Sequence, residues 1–135
     1  MNLPVKVEGT AMDAAKTLVV VEDNEIMREG IGTILRREGY EVVLTASGQE
    51  ALEYLLDTPH PDLILLDMLM DDGDGWRVLN GLRKVPALAG VPVLSVTGLS
   101  IATDEWAASL GACGLLRKPF DSPDLLAAVR RCCGK

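Results

Sequence analysis

The sequence predicts an α/β fold in which a five-stranded parallel sheet lies between two layers of helices. From Thr17 onward, short apolar runs alternate five times with stretches of helical spacing. The runs at residues 18–21 and 63–66 contain no polar residue, which is typical of strands covered on both faces. Only five of the 135 residues are Trp, Tyr or Phe, so aliphatic side chains must build the core.

The length and composition fit one domain, because 135 residues with 48% hydrophobic side chains can fill a single α/β core. We expect this domain to span residues 17–133. Residues 1–16 mix Pro4, Gly9 and charges of both signs without periodicity, and we interpret them as a flexible leader or linker remnant.

The first half of the domain contains two strand–helix units. The strand at 18–21 precedes a helix whose apolar side chains recur at spacings of three and four, and Gly39 is its expected C-terminal cap. The second strand covers 41–45. Ser47 and Glu50 then form the sequence pattern of a capping box, which begins the second helix.

The second half repeats this alternation three times. The strand at 63–66 runs directly into Asp67, and a helix through 76–82 carries the chain to Pro86. A fourth strand at 91–96 ends at Thr97, and a short helix at 102–110 and a brief strand at 114–116 follow. Ser122 is the expected cap of the last helix, with Pro123 at its first position.

Charge and hydropathy exclude several classes of protein. The net charge is −7, and no Lys/Arg-rich stripe is available to bind phosphates, so we expect no direct contact with nucleic acid. No apolar run approaches the roughly 20 residues of a membrane span. We therefore expect a soluble protein.

The three cysteines, Cys113, Cys132 and Cys133, show no metal-ligand spacing, and two of them are adjacent. Their odd number argues against a disulfide framework, so we expect apolar packing roles and a cytoplasmic location. His60 lies between two prolines and is interpreted as a surface residue.

Polar side chains follow four of the five predicted strands. Glu22 and Asp23 follow the first strand, Asp67 the third, Thr97 the fourth and Lys118 the fifth. Right-handed crossovers bring the carboxyl ends of parallel strands to one edge of the sheet, where ligands bind. We expect these five residues to converge there.

Three carboxylates placed together repel one another unless a cation compensates their charge. Mg²⁺ fits this site, since it prefers oxygen ligands and commonly takes one or two carboxylates plus a phosphate oxygen. Lys118 adds a positive charge that can pair with Asp67, and Thr97 adds a hydroxyl donor. The residues therefore predict a magnesium-assisted phosphate site.

Five motifs resemble the receiver domain of bacterial two-component response regulators, in the same order and spacing over residues 17–131. They are Val21-Glu22-Asp23-Asn24-Glu25, Leu65-Leu66-Asp67-Met68, Asp74-Gly75, Val96-Thr97-Gly98 and Lys118-Pro119-Phe120. The resemblance implies a flavodoxin-like, doubly wound sheet in the strand order 2-1-3-4-5. It also implies that Asp67 is the phosphoacceptor, that Asp23, Asp67 and the Leu69 carbonyl bind Mg²⁺ directly, with Glu22 acting through a metal-bound water, and that Thr97 and Lys118 hold the phosphoryl group.

The function implied is phosphorelay signalling. Asp67 would accept a phosphoryl group from a histidine kinase or a histidine phosphotransfer protein, which would dock on the first helix around Ile26 and Met27. Such a domain is not an enzyme in the ordinary sense: it assists its own phosphorylation and slow dephosphorylation, and it thereby switches a surface for a downstream effector protein.

Three departures from the family pattern bear on this function. Leu115 stands where many receivers have a Tyr or Phe whose rotation accompanies movement of the threonine, and Asp71 stands where the family usually has proline. Leu69 and Leu99, two positions beyond Asp67 and Thr97, flank the approach of a hydrolytic water in receivers. Because neither leucine can orient water, we expect a long-lived phosphorylated state.

Other readings of the same residues remain open. A degenerate receiver would serve only as a protein-interaction module. A phosphohydrolase with Asp67 as nucleophile would need a second acid where this chain has Leu69. A flavin carrier of similar topology would need a phosphate-binding loop after its first strand, where Glu22 and Asp23 would instead repel the ligand.

Overall fold

The computed structural model describes residues 15–70, 74–98 and 102–133. The predicted leader at 1–16 lies outside the described residues as far as residue 14. Lys16 already belongs to the fold, because its carbonyl accepts a hydrogen bond of 2.9 Å from the Glu41 amide at the start of the second strand.

The described chain contains five strands and six helices, and each strand is followed by one helix except β3, which is followed by two. The strands are β1 (Thr17–Val21), β2 (Glu41–Thr45), β3 (Leu63–Asp67), β4 (Val93–Thr97) and β5 (Gly114–Arg117). The helices are α1 (Glu25–Arg37), α2 (Gly48–Asp57), α3 (Asp74–Arg83), α4 (Pro86–Ala89), α5 (Asp104–Ser109) and α6 (Ser122–Cys133). Within the described ranges, none of the helices is both long and apolar enough to cross a membrane.

The five strands form one parallel sheet in the order β2-β1-β3-β4-β5, which confirms the predicted 2-1-3-4-5 topology. The register aligns the carboxyl ends of the strands. Val21 lies opposite Leu66, Asp67 lies opposite Val96, and Thr97 lies opposite Arg117. The residues that follow these strand ends therefore share one edge of the sheet.

Alternate residues of the central strands enter two separate cores, as expected for a sheet covered on both faces. Val19 and Ile64 belong to the core beneath α2, α3 and α4. Leu18 and Leu65 belong to the core beneath α1 and α6. All five residues of β3 are buried, so the strand that ends in Asp67 lies at the centre of the molecule.

Helix ends follow most of the predicted signals. Gly39 has a φ of +95°, and its amide donates to the Arg36 carbonyl, which closes α1 as expected for a glycine in the left-handed region. The capping box is also present. The Ser47 hydroxyl accepts from the Glu50 amide at 3.1 Å, and the Glu50 carboxylate reaches back to the Ala46 amide at 2.7 Å.

One expectation about a helix end was wrong, and one short helix was not predicted. The cap of α6 is Asp121 rather than Ser122, since the Asp121 carboxylate accepts from the Asp124 amide at 3.0 Å. Ser122 and Pro123 therefore occupy the first two helical positions, where proline costs no hydrogen bond. The short helix α4 was not predicted, because four residues after Pro86 are too few to show a helical period.

The expectation that the cysteines form no disulfide was wrong, because Cys113 and Cys132 are bonded and Cys133 is the free thiol. Cys132 and Cys133 do pack against the core, as expected. Cys113 directly precedes β5, and α6 packs across this strand, so the Cα atoms of the two residues lie 5.6 Å apart. The number of cysteines in the sequence does not reveal this pairing, because the pairing depends on how α6 packs against β5.

Candidate functional site

Three carboxylates meet at the carboxyl edge of the sheet, as the sequence predicted. Oxygen atoms of Glu22, Asp23 and Asp67 all lie within 4.8 Å of one another. Glu22 is 1% exposed and Asp67 is 2% exposed, whereas Asp23 is open to solvent. One rim of the site is therefore accessible, and the carboxylate at its base is shielded.

Lys118 lies between two of these acids. Its Nζ is 2.9 Å from Glu22 Oε1 and donates a hydrogen bond of 3.1 Å to Asp67 Oδ2. The backbone places it there, because the Lys118 amide donates to the Thr97 carbonyl at 2.9 Å and so continues the pairing of β4 with β5. Lys118, which follows β5, therefore contacts the acids at the ends of β1 and β3.

Burial and charge shift the pKa values of this pair. Burial raises the pKa of Glu22 and the Asp67 charge adds to this rise, although the hydrogen bond from Lys118 opposes it. For Lys118, burial alone would lower the pKa, but its contacts with Glu22 and Asp67 outweigh burial and raise it. Lys118 therefore stays protonated, and Glu22 is the acid that holds a proton more tightly than usual.

Local hydrogen bonds orient the acids. The Leu69 amide donates to Asp67 Oδ1 at 3.0 Å, and the Asn24 amide donates to Glu22 Oε2 at 3.2 Å. The Leu69 side chain is 55% exposed at the rim. Both oxygens of Asp67 are thus already engaged, one by the backbone and one by Lys118.

Arg28 is a supporting residue that the sequence analysis missed. Its guanidinium donates from α1 to the carbonyls of Glu22 and Asp23, at 3.1 and 3.4 Å. These contacts fix the turn that carries two of the acids. A single arginine in a helix gives no signal for this role, because its side chain must fold back over a whole helical turn.

Thr97 is fully buried at the end of β4, beside the acids. The preceding residue, Val96, lies opposite Asp67 in the sheet, and its carbonyl accepts from the Met68 amide at 3.0 Å. The pairing of β3 with β4 therefore continues past Asp67 and fixes the position of Thr97. Leu99 and Asp71 lie outside the described residues.

Gly75 sets the position of α3 relative to Asp67. A Cβ at this residue would lie 2.6 Å from the Asp67 carbonyl oxygen and 2.6 Å from the Met68 Cα. Such distances are far below van der Waals contact, so α3 can pack on the backbone after β3 only if this residue is glycine. The motif containing Gly75 was recognised in the sequence, but its packing role was not.

The donor set fits a hard divalent cation. Among the described residues, oxygen atoms of three carboxylates lie together at a site with an accessible rim, and Lys118 contacts two of them. Carboxylate oxygens without thiol or imidazole groups suit Mg²⁺, which retains several waters and needs few protein ligands. Glu22, Asp23 and Asp67 could therefore hold this ion.

An apolar groove of about 480 Å³ adjoins the site along α1. Ile26 is 85% exposed, although it is a large apolar side chain. Lys118, which contacts Glu22 and Asp67, is one of its lining residues, so the groove adjoins the acids. It is lined by Asn24, Ile26, Met27, Gly30, Ile31, Ile34, Lys118 and Phe120.

Comparison with known proteins identifies relatives over nearly the whole domain. Residues 18–130 match the family model described as the response regulator receiver domain. The chain is 33% identical over 116 residues to the polar-differentiation response regulator DivK of Brucella ovis, covering 85% of this chain and 94% of that protein.

Solved structures agree with this result. Chemotaxis protein CheY4 of Vibrio cholerae superposes with a TM-score of 0.79 at 28% identity, covering 88% of this chain and 99% of that one. The receiver domain of a sensor histidine kinase from Pseudomonas aeruginosa, solved with a magnesium ion coordinated in its active site cleft, gives a TM-score of 0.78 at 28% identity. That match covers 90% of this chain and all of the other.

Proposed function

The chain belongs to the family of response regulator receiver domains, and we propose that it acts in a phosphorelay by accepting a phosphoryl group on Asp67. One observation carries this proposal: a shielded carboxylate contacts Lys118 beside two further acids at the carboxyl edge of the sheet. An acid buried for structural reasons alone would not be surrounded by two more carboxylates.

In the proposed reaction, a carboxylate oxygen of Asp67 attacks the phosphorus of a phosphohistidine on the partner. A bond forms between this oxygen and phosphorus, the phosphorus–nitrogen bond breaks, and the released imidazole takes up a proton. Lys118 and Thr97 would then bind the oxygens of the transferred group. Catalysis by such a site rests on positioning and charge neutralisation.

Glu22, Asp23 and Asp67 would hold Mg²⁺ together with the Leu69 carbonyl, with Glu22 acting through water. The ion would supply positive charge to the oxygens of the phosphoryl group. The Lys118 ammonium group lies 3.1 Å from Asp67 Oδ2 and would offset negative charge on the transferred group. The domain would thus assist its own phosphorylation and its slow dephosphorylation without being an enzyme in the ordinary sense.

Incubation with acetyl phosphate and Mg²⁺, followed by mass spectrometry of the intact protein, tests this proposal. We expect one phosphoryl adduct on the native chain and none on Asp67→Asn, because an amide oxygen is a poor nucleophile. Asp57→Asn, which removes an exposed acid at the end of α2, is the matched control and should be modified like the native chain.

Two outcomes would contradict the proposal. Absence of any adduct on the native chain would favour a receiver that acts only as an interaction module. Steady release of phosphate with no accumulating adduct would favour a phosphohydrolase.

We further propose that the partner, a histidine kinase or a histidine phosphotransfer protein, docks in the groove along α1. The groove is apolar and is lined by the exposed Ile26, the half-buried Met27 and Lys118. An apolar helix surface carrying the phosphohistidine could bury Ile26 and bring the histidine to Asp67. A small interface of this kind suits a transient complex.

Ile26→Asp tests the docking surface, since a charge in the groove should weaken the complex. We expect slower transfer from a phosphorylated partner protein and an unchanged rate with acetyl phosphate, which needs no docking. Leu56→Asp places the same charge on an exposed leucine of α2 and serves as the control. Equal losses with both donors would show that Ile26 acts on the site itself.

The location we propose is the cytoplasm, where such kinases present their phosphohistidine. A disulfide such as Cys113–Cys132 is uncommon in a reducing compartment. Thiol labelling of protein quenched directly in cells measures its state: one reactive cysteine means that the disulfide is present, and three mean that it is reduced.

A further inference from the structure

The two tryptophans of this chain contact each other beside the site. Trp76 of α3 and Trp106 of α5 have ring centroids 5.9 Å apart and an interplanar angle of 83°, which is an edge-to-face arrangement. Trp76 is 41% exposed and Trp106 is half-buried. The pair joins the helix that follows the Asp67 strand to the helix that follows the Thr97 strand.

Trp76 lies on α3, which packs closely against the rest of the protein. The neighbouring Gly75 packs backbone against backbone on Asp67 and Met68, so α3 has no space to move towards the site. The buried side chains of Val78 and Leu82 hold the same helix on the core. Trp76 therefore has a fixed position relative to Asp67.

Trp106 lies on α5, which has fewer buried residues than α3. Helix α5 has six residues, of which only Ala107 is fully buried. Its start is held by Arg117, whose guanidinium donates to the carbonyl of Ala102. Since Arg117 lies opposite Thr97 and directly precedes Lys118, α5 is attached to the strands that carry the cation and the hydroxyl of the site.

A phosphoryl group on Asp67 would disturb contacts that this carboxylate already makes. One carboxylate oxygen accepts from the Leu69 amide and the other from Lys118, while Asp67 and Thr97 are almost completely buried. Three additional oxygens require Lys118 to leave Oδ2 and the surrounding elements to yield. Helix α3 is held on the core by Val78, Leu79 and Leu82, whereas α5 buries only Ala107, so the adjustment falls on the side that carries α5.

We propose that the Trp76–Trp106 contact is a latch that stabilises the unphosphorylated arrangement, and that phosphorylation of Asp67 separates the two rings. This inference rests on the proposed phosphoacceptor function. The latch would provide coupling between the site and α5 in a chain that has Leu115 where many receivers have an aromatic residue. Its strength is limited to that of one partly exposed aromatic pair.

Circular dichroism and fluorescence provide a direct test, because the chain has no tryptophan besides these two. Contacting indoles give an exciton signal. We expect this signal to fall, and the emission to shift to longer wavelength, when beryllium fluoride and Mg²⁺ imitate the phosphoryl group. Fluorine NMR of the same samples reports whether beryllium fluoride is bound.

Removing the latch should favour the occupied site. We expect Trp76→Leu to raise the affinity for beryllium fluoride about fivefold, as estimated from the worth of one edge-to-face pair, and Trp76→Phe to have a smaller effect because a ring remains. Leu56→Ala, which shortens an exposed leucine on α2, should leave the affinity unchanged. If Trp76 had only a structural role, Trp76→Leu would change the free energy of unfolding but not the affinity for beryllium fluoride.

The outcomes separate this inference from the function on which it rests. Binding of beryllium fluoride with an unchanged exciton signal, or with no gain of affinity in Trp76→Leu, would overturn the latch and leave the phosphoacceptor site intact. Failure of the native protein to bind beryllium fluoride and to react with acetyl phosphate would overturn both.

Discussion

The carboxyl edge of the sheet has two halves that are built in different ways. The acid half consists of Glu22, Asp23 and Asp67 at the ends of β1 and β3, and the cation half consists of Thr97 and Lys118 at the ends of β4 and β5. In the acid half, Glu22 and Asp67 each accept from a backbone amide two residues further along the chain. Local sequence is sufficient to orient these side chains.

The cation half depends on residues that are distant in sequence. Arg117 reaches back to Ala102, Trp76 meets Trp106, and Cys113 is linked to Cys132. Each of these contacts forms only when separate elements have packed. The comparison indicates that the charges of the acid half follow from local turns, whereas the surroundings of the cation half follow from tertiary structure.

The largest expected effect comes from filling the space at Gly75, which supports the acid half. Gly75→Ala would place a methyl group against the Asp67 and Met68 backbone, and we expect a loss of about 2 to 3 kcal/mol in the free energy of unfolding. Phosphorylation by acetyl phosphate should also fall sharply. Urea denaturation and the acetyl phosphate assay measure the two effects.

Gly30→Ala is the control for this change. A Cβ at Gly30 meets nothing within 4 Å, so alanine should stabilise α1 by about 0.5 to 1 kcal/mol. Equal effects of the two substitutions would show that a methyl group can be accommodated at Gly75.

The second prediction concerns the leucines two positions beyond Asp67 and Thr97 in the sequence. If Leu69 and Leu99 exclude water from the phosphorylated site, the double change Leu69→Asn with Leu99→Glu should shorten the lifetime of the phosphoprotein roughly tenfold to thirtyfold. Each single change should have a smaller effect. Decay of the purified phosphoprotein measures the lifetime, and Leu56→Asn is the control on an exposed leucine. Rapid decay of the native protein that neither substitution alters would refute this role.

The third prediction concerns Glu22, whose pKa is raised mainly by burial. An acid with a raised pKa in the folded state opposes folding at any pH where it is ionised. Glu22→Gln should therefore stabilise the metal-free protein by about 1 kcal/mol near neutral pH. The gain should disappear as the pH falls below the raised pKa, because native Glu22 is then protonated too.

Urea denaturation of both proteins across acidic and neutral pH, with Mg²⁺ removed by a chelator, measures this difference. A gain that persists at acidic pH would show that charge on Glu22 is not its cause. No gain at neutral pH would show that the contact with Lys118 compensates fully for burial.

The smallest expected effect is at Ser95 in the cation half. Within the described residues its buried hydroxyl has no hydrogen-bond partner, so Ser95→Ala should be neutral or raise the free energy of unfolding by up to about 1 kcal/mol. Thr45 provides the matched comparison, because its buried hydroxyl donates to the Val20 carbonyl at 2.8 Å. Thr45→Val should cost about 1 kcal/mol, and a similar cost at Ser95 would contradict the prediction.

Much of the fold could be predicted because hydrophobic periodicity and the topology rules for parallel sheets act together. They placed all five strands and the edge where Glu22, Asp67 and Lys118 meet, whereas the strand order was implied by the resemblance to receiver domains. The disulfide, the cap at Asp121 and the helix α4 were missed for separate reasons. A disulfide depends on tertiary distance, Ser122 and Asp121 are equally good caps, and four residues are too short to show a period.

The candidate site was also predicted only in part. The identities of the charged residues were visible as strand-end residues, but Arg28, Gly75 and Arg117 were not given roles. Arg28 and Arg117 act through long side chains that reach backbone carbonyls, and nothing in their immediate sequence identifies the acceptor. Gly75 acts through the absence of a side chain.

The strand order also has a consequence for synthesis of the chain on the ribosome. The first strand lies inside the sheet, β2 covers one side of it, and β3, β4 and β5 add to the other side in the order in which they are translated. Each new strand therefore finds a formed edge to pair with, and no earlier pair has to open. Lys118 follows the last strand to be added, so a nascent chain carries its acids long before it carries the cation that pairs with Asp67. The acids and the cation can therefore form the complete site only after the last strand has joined the sheet.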